Sequence, residues 1–456
     1  MNLVQKLTEQ DSDQIAIIDH DHAITFGGLN TRVQGGAELL RQKGLKEGDP
    51  VLVLHPITIQ LYEILLSCFH AGLVVILVDP AKGSRFIKDC LNWIPPEAFI
   101  GSPKAQLLRL KYRSLKNAFS TGSKLPFTNR WDPKASPCSP IDLPPGAPAL
   151  ITFTSGSTGT PKGIVRSHSF LLAQDQTLGR SLNLQPGQID LITLPVFLLS
   201  NLAHGVTSVI ADTDLTKPGF PDVQKILTQI RQHKVTRCTA SPAFFEKMPD
   251  EFFEPLTKVY TGGAPVFPEL LSRFPEKFHA VYGSSEAEPI SHFSGLNLTP
   301  EITKTISNGG GLPAGKPVEE ITLQIIDDEI LVTGDHVLKG YLDGRGDDTT
   351  KIKIDGQIWH RTGDAGRLDS DGKLWLLGRH SQKYKCHFPL QIEAAVHLQH
   401  PGQRCAFLKG TLFLENDLKV DLPWAPIDRI KVIAQIPMDS RHNAKVDYAK
   451  LENFGT

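Results

Sequence analysis

From Gln14 onward, short β-rich runs alternate with helical patterns. Residues 15–18 read as a strand. Residues 26–43 read as an amphipathic helix, because Leu29, Val33, Ala37 and Leu40 recur at spacings of three and four. A turn at 46–49, a buried strand at 51–54, a helix at 57–71 and a strand at 73–78 closed by Asp79 and Pro80 follow. Such alternation predicts an α/β fold, a mostly parallel sheet covered by helices, and a second series runs from 149 to 281. Between the two, residues 126–145 are rich in Pro, Ser and Asp and predict a loop or joint. After Leu312 the strands come at short spacing: 321–326, 329–333, 356–360, and 366–369 paired with 373–377 across Ser370, Asp371 and Gly372, a hairpin signal. Residues 379–456 form a small strand and helix set of their own.

Composition narrows the class. With 456 residues, 48 Lys and Arg against 49 Asp and Glu, and a formal net charge of −1, no global basic field favours nucleic acid. Six cysteines, no two closer than 19 positions, give neither metal-ligand spacing nor a disulfide framework, so reduced thiols in a cytoplasmic protein are expected. The most apolar stretch, 71–78, is too short for the roughly 20 apolar residues of a membrane span. The N-terminus lacks the apolar run of a signal peptide. Residues 379–456 carry 11 basic and 8 acidic side chains, a net of +3 that leaves −4 for the rest and suits a small lobe closing over an anionic ligand.

The most informative segment is the run of ten residues from Thr154 to Gly163, TSGSTGTPKG, directly after the apolar run 149–153. Gly156, Gly159 and Gly163 let the backbone wrap a ligand and expose its N–H groups. Thr154, Ser155, Ser157 and Thr158 add hydroxyls, and Lys162 adds positive charge. That combination is a polyphosphate cradle, the alternative being a flexible Ser/Gly linker. It is not the common P-loop, because Pro161 separates Thr160 from Lys162. Here the chain resembles the adenylate-forming superfamily of acyl-CoA synthetases, peptide-synthetase adenylation domains and luciferase-like enzymes, in which this loop holds the β- and γ-phosphates of ATP. The resemblance extends to residues 23–29 and to Gly48 and Asp49, and so covers nearly the whole length. It implies a large N-terminal domain, 1–379, of layered sheets with helices and a distorted β-barrel subdomain, and a short α+β C-terminal lobe, 380–456.

Further segments carry the same resemblance. Tyr282 beside Gly283 offers a flat stacking face with close backbone approach, and Glu286, a few residues on, can reach a phosphate-bound cation. Read alone, the segment is an ordinary turn. The resemblance makes Tyr282 the adenine neighbour, Ser285 an α-phosphate contact, and Glu286 a Mg²⁺ ligand together with Thr158. Gly262, Gly263 and Ala264 resemble the strand end that flanks adenine and the acyl pocket. Arg361, Thr362, Gly363 and Asp364 place a carboxylate on a tight turn. An Asx turn would account for Asp364, while the resemblance gives it the ribose hydroxyls. Arg379, before a joint near His380 and Ser381, would touch ribose or phosphates.

Near the C-terminus, Lys445 sits in a loop segment where an ammonium can bridge the attacking carboxylate and the α-phosphate. The resemblance assigns it that role, and Lys450 reads as a solvated helix residue. The segments 195–205, 214–218 and 441–448 look most like the olefin β-lactone synthetase branch. Amino-acid-activating members of the family usually carry an Asp just after the aromatic here; Phe197, Leu198 and Leu199 include none, so the resemblance implies an apolar acid, the alternative being a packed helix start. The hinge 380–387 lacks an acidic residue and a glycine, and the C-terminal lobe is short, both tolerable if the second step is intramolecular. The basic run 379–387 reads as a solvated face or nucleotide contact, or as a carrier-protein patch. His168 and His204 are candidate bases, a structural role being commoner.

The expectation is a Mg-ATP-dependent ligase that activates a carboxylic acid, fatty or β-hydroxy, as acyl-AMP with release of pyrophosphate, then passes the acyl group to coenzyme A or a carrier-protein thiol. The alternatives are β-lactone closure by the substrate's own hydroxyl, and a non-catalytic acyl or nucleotide sensor.

Overall fold

The computed structural model describes residues 2–123, 125–155, 161–217, 219–439 and 443–455. The chain divides into two compact units. The first comprises Met1–Gln188, Pro195–Ile210 and Leu338–Thr349; the second comprises Ile189–Leu194, Ala211–Val337 and Thr350–Thr456.

The first unit is built on a seven-stranded sheet in the order Asn129–Arg130, Ala118–Ser120, Ala98–Gly101, Pro50–Leu54, Val74–Leu77, Pro148–Ser155, Pro161–Ser167. Its pairings are parallel except the last, an antiparallel hairpin that sets Thr154 opposite Lys162. The helix Phe26–Gln42 starts where the Thr25 hydroxyl accepts the Gly28 N–H at 3.1 Å, and it fully buries Leu29, Val33, Ala37 and Leu40, the predicted apolar face. The helix Ile59–His70 is buried almost all round, which its run of apolar residues permits. Its one carboxylate, Glu63, is held by Arg32 Nε at 2.6 Å and by the Trp131 indole N–H at 2.7 Å. Trp131 lies in the stretch expected to be a loop. That stretch also contains the short strand Asn129–Arg130, which pairs in parallel with Phe119 and Ser120, and the Trp131 indole after it, buried in the core, finds its partner on the neighbouring helix.

In the second unit, parallel strands Ile189–Ile192, Arg237–Ala240, Lys258–Gly262 and Phe278–Ser284 are followed in the sheet by antiparallel Ala287–Ser294, Leu312–Pro317, Leu374–Arg379, Gln357–Leu368, Glu329–Gly334 and Ile321–Ile326. Phe244, Phe245, Phe252, Phe253 and Phe278 pack edge-on and tilted beneath its parallel half. Residues 380–456 form a three-stranded sheet, Cys405–Leu408, Thr411–Leu414 and Arg429–Val432, packed against the helix Pro389–Gln399. They contact the rest of this unit through Trp424 Nε1 donating to Ser307 O at 3.0 Å and Gln391 Nε2 donating to Gly309 O at 2.6 Å.

On that helix, against the small sheet, Glu393 is buried, and its Oε1 accepts the Phe407 N–H at 2.9 Å and the Tyr448 hydroxyl at 2.8 Å. Burial pushes its carboxyl from 4.5 up to about 7. The folded chain therefore keeps a proton that the unfolded chain has released, and stability from this group is lost as pH rises from about 4.5 through about 7. Glu393→Gln is expected to flatten that slope and to be more stable than the parent by about 1–3 kcal/mol above neutral pH. Denaturant midpoints on either side of the window check this, and a parallel pH dependence in both proteins would contradict it.

Candidate active site

The segment from Arg361 to Asp364 lies within the continuous strand Gln357–Leu368, not on the tight turn expected. The two strands predicted at 356–360 and 366–369 are one, carried through a bulge at residues 362–364, where the pairing with the strand Glu329–Gly334 steps from Arg361 opposite Leu331 to Ala365 opposite Glu329. Glu329, at the start of the neighbouring strand, sets this bulge. Its Oε2 accepts from Arg361 Nε at 2.8 Å and Nη2 at 2.5 Å, and its Oε1 accepts the Gly363 N–H at 3.1 Å. Gly363 has φ +72°, a conformation glycine adopts without strain.

The bulge presents Asp364 with both oxygens engaged. Arg379 Nη1 lies 3.0 Å from Oδ1, and the Tyr282 hydroxyl donates to Oδ2 at 2.9 Å. Burial raises the Asp364 carboxyl above its usual value, against the opposing pull of Arg379 and Tyr282. Tyr282 ends the strand Phe278–Ser284, whose tight turn through Ser285 and Glu286 leads into Ala287–Ser294; the Glu286 N–H donates to Ser284 Oγ at 3.3 Å. On the adjacent strand Gly262 is required by close approach, since a Cβ there would stand 2.4 Å from Val281 O. Gly263 beyond it has φ +79° and open space where a side chain would be, with Ala264 half-buried next to it. Gly283 packs against Ala287 O across the hairpin.

Lys445 is presented by a loop organised on Asp439. The Asp439 Oδ1 accepts the N–H groups of Ala444 at 3.0 Å and Lys445 at 2.9 Å, and its own N–H donates to Lys445 O at 2.8 Å. Lys445 is itself exposed; partial desolvation of its ammonium, then repulsion from Arg379, holds it below its ordinary value, while Asp364, Asp439 and Glu286 pull the other way. Those five groups thus share one electrostatic neighbourhood. Lys450 is exposed and pairs with Asp447 at 2.9 Å, in line with a solvated helix residue. Among the described residues no cluster of three or more His, Cys, Asp or Glu could hold a metal by itself.

In the first unit Thr154 and Lys162 face each other across the hairpin. Gly156, Ser157, Thr158, Gly159 and Thr160 lie outside the described residues, as does the side chain of Ser155. The Lys162 ammonium lies 5.3 Å from the centre of the Tyr341 ring, and its stem runs against Gly346, where a Cβ would stand 2.6 Å from Lys162 Cε. Gly163 likewise packs against Leu342. Phe197 and Leu198 are buried in the short helix Val196–Ala203. His168 is buried, accepts the Leu3 N–H at 3.3 Å on Nδ1, and is pushed down to about 4 by burial, which leaves it a neutral packing residue. His204 pairs with Asp175 at 3.4 Å.

Residues 4–342 match the family model described as AMP-binding enzyme. The chain belongs to that family. An olefin beta-lactone synthetase from Xanthomonas campestris pv. campestris is 29% identical, covering 98% of this chain and 95% of that protein. A 2-succinylbenzoate–CoA ligase from Bacillus licheniformis is 25% identical, covering 99% and 94%. The amide bond synthetase McbA from Marinactinospora thermotolerans shares the fold, with a TM-score of 0.82 at 20% identity over 100% of this chain and 99% of that one. The adenylate-forming ligase and its mixed α/β fold with a small C-terminal sheet lobe, expected from sequence, are thereby borne out. Among the described residues no helix is long and apolar enough to cross a membrane.

Within this AMP-binding chain, sequence reasoning missed Glu329 and Asp439, which organise the surroundings of Asp364 and Lys445 in the second unit, and Tyr341, which lies against Lys162 in the first. A carboxylate opening an otherwise apolar strand (Glu329) and an Asp just before a loop lysine (Asp439) were the available signals. Tyr341 carried none, because it reaches Lys162 from far along the chain.

Proposed function

We propose that the chain uses ATP to convert a carboxylic acid into an acyl-AMP with release of pyrophosphate. The observation that carries this reading is the shared neighbourhood of Asp364, Arg379, Tyr282, Glu286 and Lys445. Asp364 takes the ribose hydroxyls and Tyr282 flanks adenine, with Gly262, Gly263, Ala264 and Gly283 giving the base close backbone approach. Ser285 meets the α-phosphate. Lys445 balances the charge that grows between the attacking carboxylate and the α-phosphorus as the bond to pyrophosphate breaks. The hairpin from Thr154 to Lys162 holds the β- and γ-phosphates. A single carboxylate suits Mg²⁺, which keeps several waters and binds through one or two carboxylates plus phosphate oxygens; Glu286 would hold it, and when bound it would neutralise phosphate charge. Phe197 and Leu198 back the apolar acyl pocket, residues 380–456 act as the lobe that delivers Lys445, and the setting is cytoplasmic, as the free cysteines support.

For the second step, the full-length similarity to an olefin beta-lactone synthetase supports a β-hydroxy fatty acid whose own hydroxyl attacks the acyl carbon, closing a β-lactone as AMP leaves. The CoA-ligase relative supports a second reading, thioester formation on coenzyme A, a carrier-protein thiol being the other such acceptor. Product analysis with a β-hydroxy fatty acid, with and without coenzyme A, separates them. β-Lactone formed without a thiol is expected, and acyl product that appears only when coenzyme A is present would reject closure.

Lys162 needs Tyr341 to keep its ammonium in place. Tyr341→Leu is expected to raise the KM for ATP by about threefold to thirtyfold, whereas Tyr341→Phe keeps the ring face and stays near the parent value. Equal KM values in the two variants would contradict this.

A further inference from the structure

Residues 98–131 contain seven Lys and Arg and no Asp or Glu, in a chain whose net charge is −1. Six of the seven are described: Lys104, Lys111, Arg113, Lys116 and Arg130 are exposed and Arg109 is half-buried. The fold places this segment at one edge of the first unit's sheet, where Ala118–Ser120 and Asn129–Arg130 are the outermost strands. Large apolar side chains stand out among the charges. Leu107 and Leu110, at the helical turn Leu108–Lys111, are 63% and 84% exposed, and Phe127 is 94% exposed. Arg109 Nη2 donates to Phe127 O at 2.9 Å, which holds the helical turn and the Phe127 turn side by side.

Phe127 is held in place at a cost. Residues 125–128 close a β-turn, with the Thr128 N–H donating to Leu125 O at 3.2 Å and the Thr128 hydroxyl donating to the same oxygen at 2.7 Å. Pro126 occupies the second position and Phe127 the third, with φ +58°, where a glycine or asparagine is usual. A bulky residue strained in this way and packed against almost nothing is not explained by folding.

We propose that this face lies on the surface of an anionic lipid bilayer, its Lys and Arg among the headgroups and Leu107, Leu110 and Phe127 entering the acyl boundary. One-signed charge with projecting apolar tips is the pattern of an interfacial anchor. A soluble polyanion would use the charges and leave the three apolar tips idle. Attachment needs no membrane-spanning helix. It requires neither ATP nor acid, so its test is independent of the proposed reaction.

The experiment is flotation of the full chain with phosphatidylcholine vesicles, with and without phosphatidylglycerol. Binding to the anionic vesicles alone, lost on adding salt, is expected. Phe127→Gly removes the ring and relieves the backbone, so its thermal midpoint should hold or rise while vesicle partition falls about tenfold. The double variant Lys111→Glu, Arg113→Glu should lower partition by at least about tenfold. Both variants should retain acid-dependent pyrophosphate exchange measured without vesicles. Absence of flotation on anionic vesicles overturns the proposal, as does equal flotation on pure phosphatidylcholine. Binding that ignores Phe127 and is matched by heparin also overturns it and assigns the patch to a soluble polyanion.

Discussion

Lys445→Ala is expected to lower acid-dependent pyrophosphate exchange by about 10²–10³-fold while leaving ATP affinity within a few-fold of the parent. The loop survives the substitution, because Asp439 holds it through the backbone N–H groups of Ala444 and Lys445, which alanine retains. What is lost is the ammonium alone. It sits in the field of Asp364, Asp439 and Glu286 and opposite Arg379, so its removal changes the charge of that neighbourhood, where the proposed reaction would bring the attacking carboxylate and the α-phosphate together. The adenosine contacts proposed for Tyr282 and Asp364 are not touched by the substitution, and the hydrogen bond between the two side chains remains. Near-normal exchange by the variant would remove Lys445 from the chemistry.

The second large effect is expected at Glu329, which holds the backbone bulge before Asp364 and whose charge also raises the Asp364 carboxyl. Glu329→Ala leaves the Arg361 guanidinium and the Gly363 N–H without their buried acceptor, at a cost of about 1–3 kcal/mol in stability. Without that clamp the bulge loses its register and Asp364 its aim, so the KM for ATP should rise by about tenfold. Glu329→Gln keeps an acceptor for either partner and should recover most of both losses. A stability loss in the alanine variant with an unchanged KM would make Glu329 a folding residue and nothing more.

These two sites also mark where the sequence was legible. The helix Phe26–Gln42 follows from apolar spacing, because its buried face is written in one local run of residues. Tyr282, Glu286, Asp364, Arg379 and Lys445 stood out only through the family resemblance, because the segments around Tyr282 and Asp364, read alone, are ordinary turns. Asp364 was misplaced onto a turn because the bulge that carries it is set by Glu329, 32 positions from Arg361 and visible only once the strands pair. The Arg-Thr-Gly-Asp run reads locally as a break, and the sheet carries it as one strand through a glycine at positive φ. Tyr341 escaped for the same reason, since the segment Leu338–Thr349 returns from far along the chain to pack beside Lys162. Burial of Phe197 and Leu198 agrees with the apolar run but is what a packed helix would show in any case.

The central claim is acid activation through an adenylate, and exchange of labelled pyrophosphate into ATP tests it most directly. The purified chain, given a panel of fatty and β-hydroxy fatty acids, is expected to catalyse exchange that depends on both acid and Mg²⁺ and does not need coenzyme A. A chain that binds ATP yet shows no acid-dependent exchange with any member of the panel would contradict the account and leave a nucleotide sensor in its place.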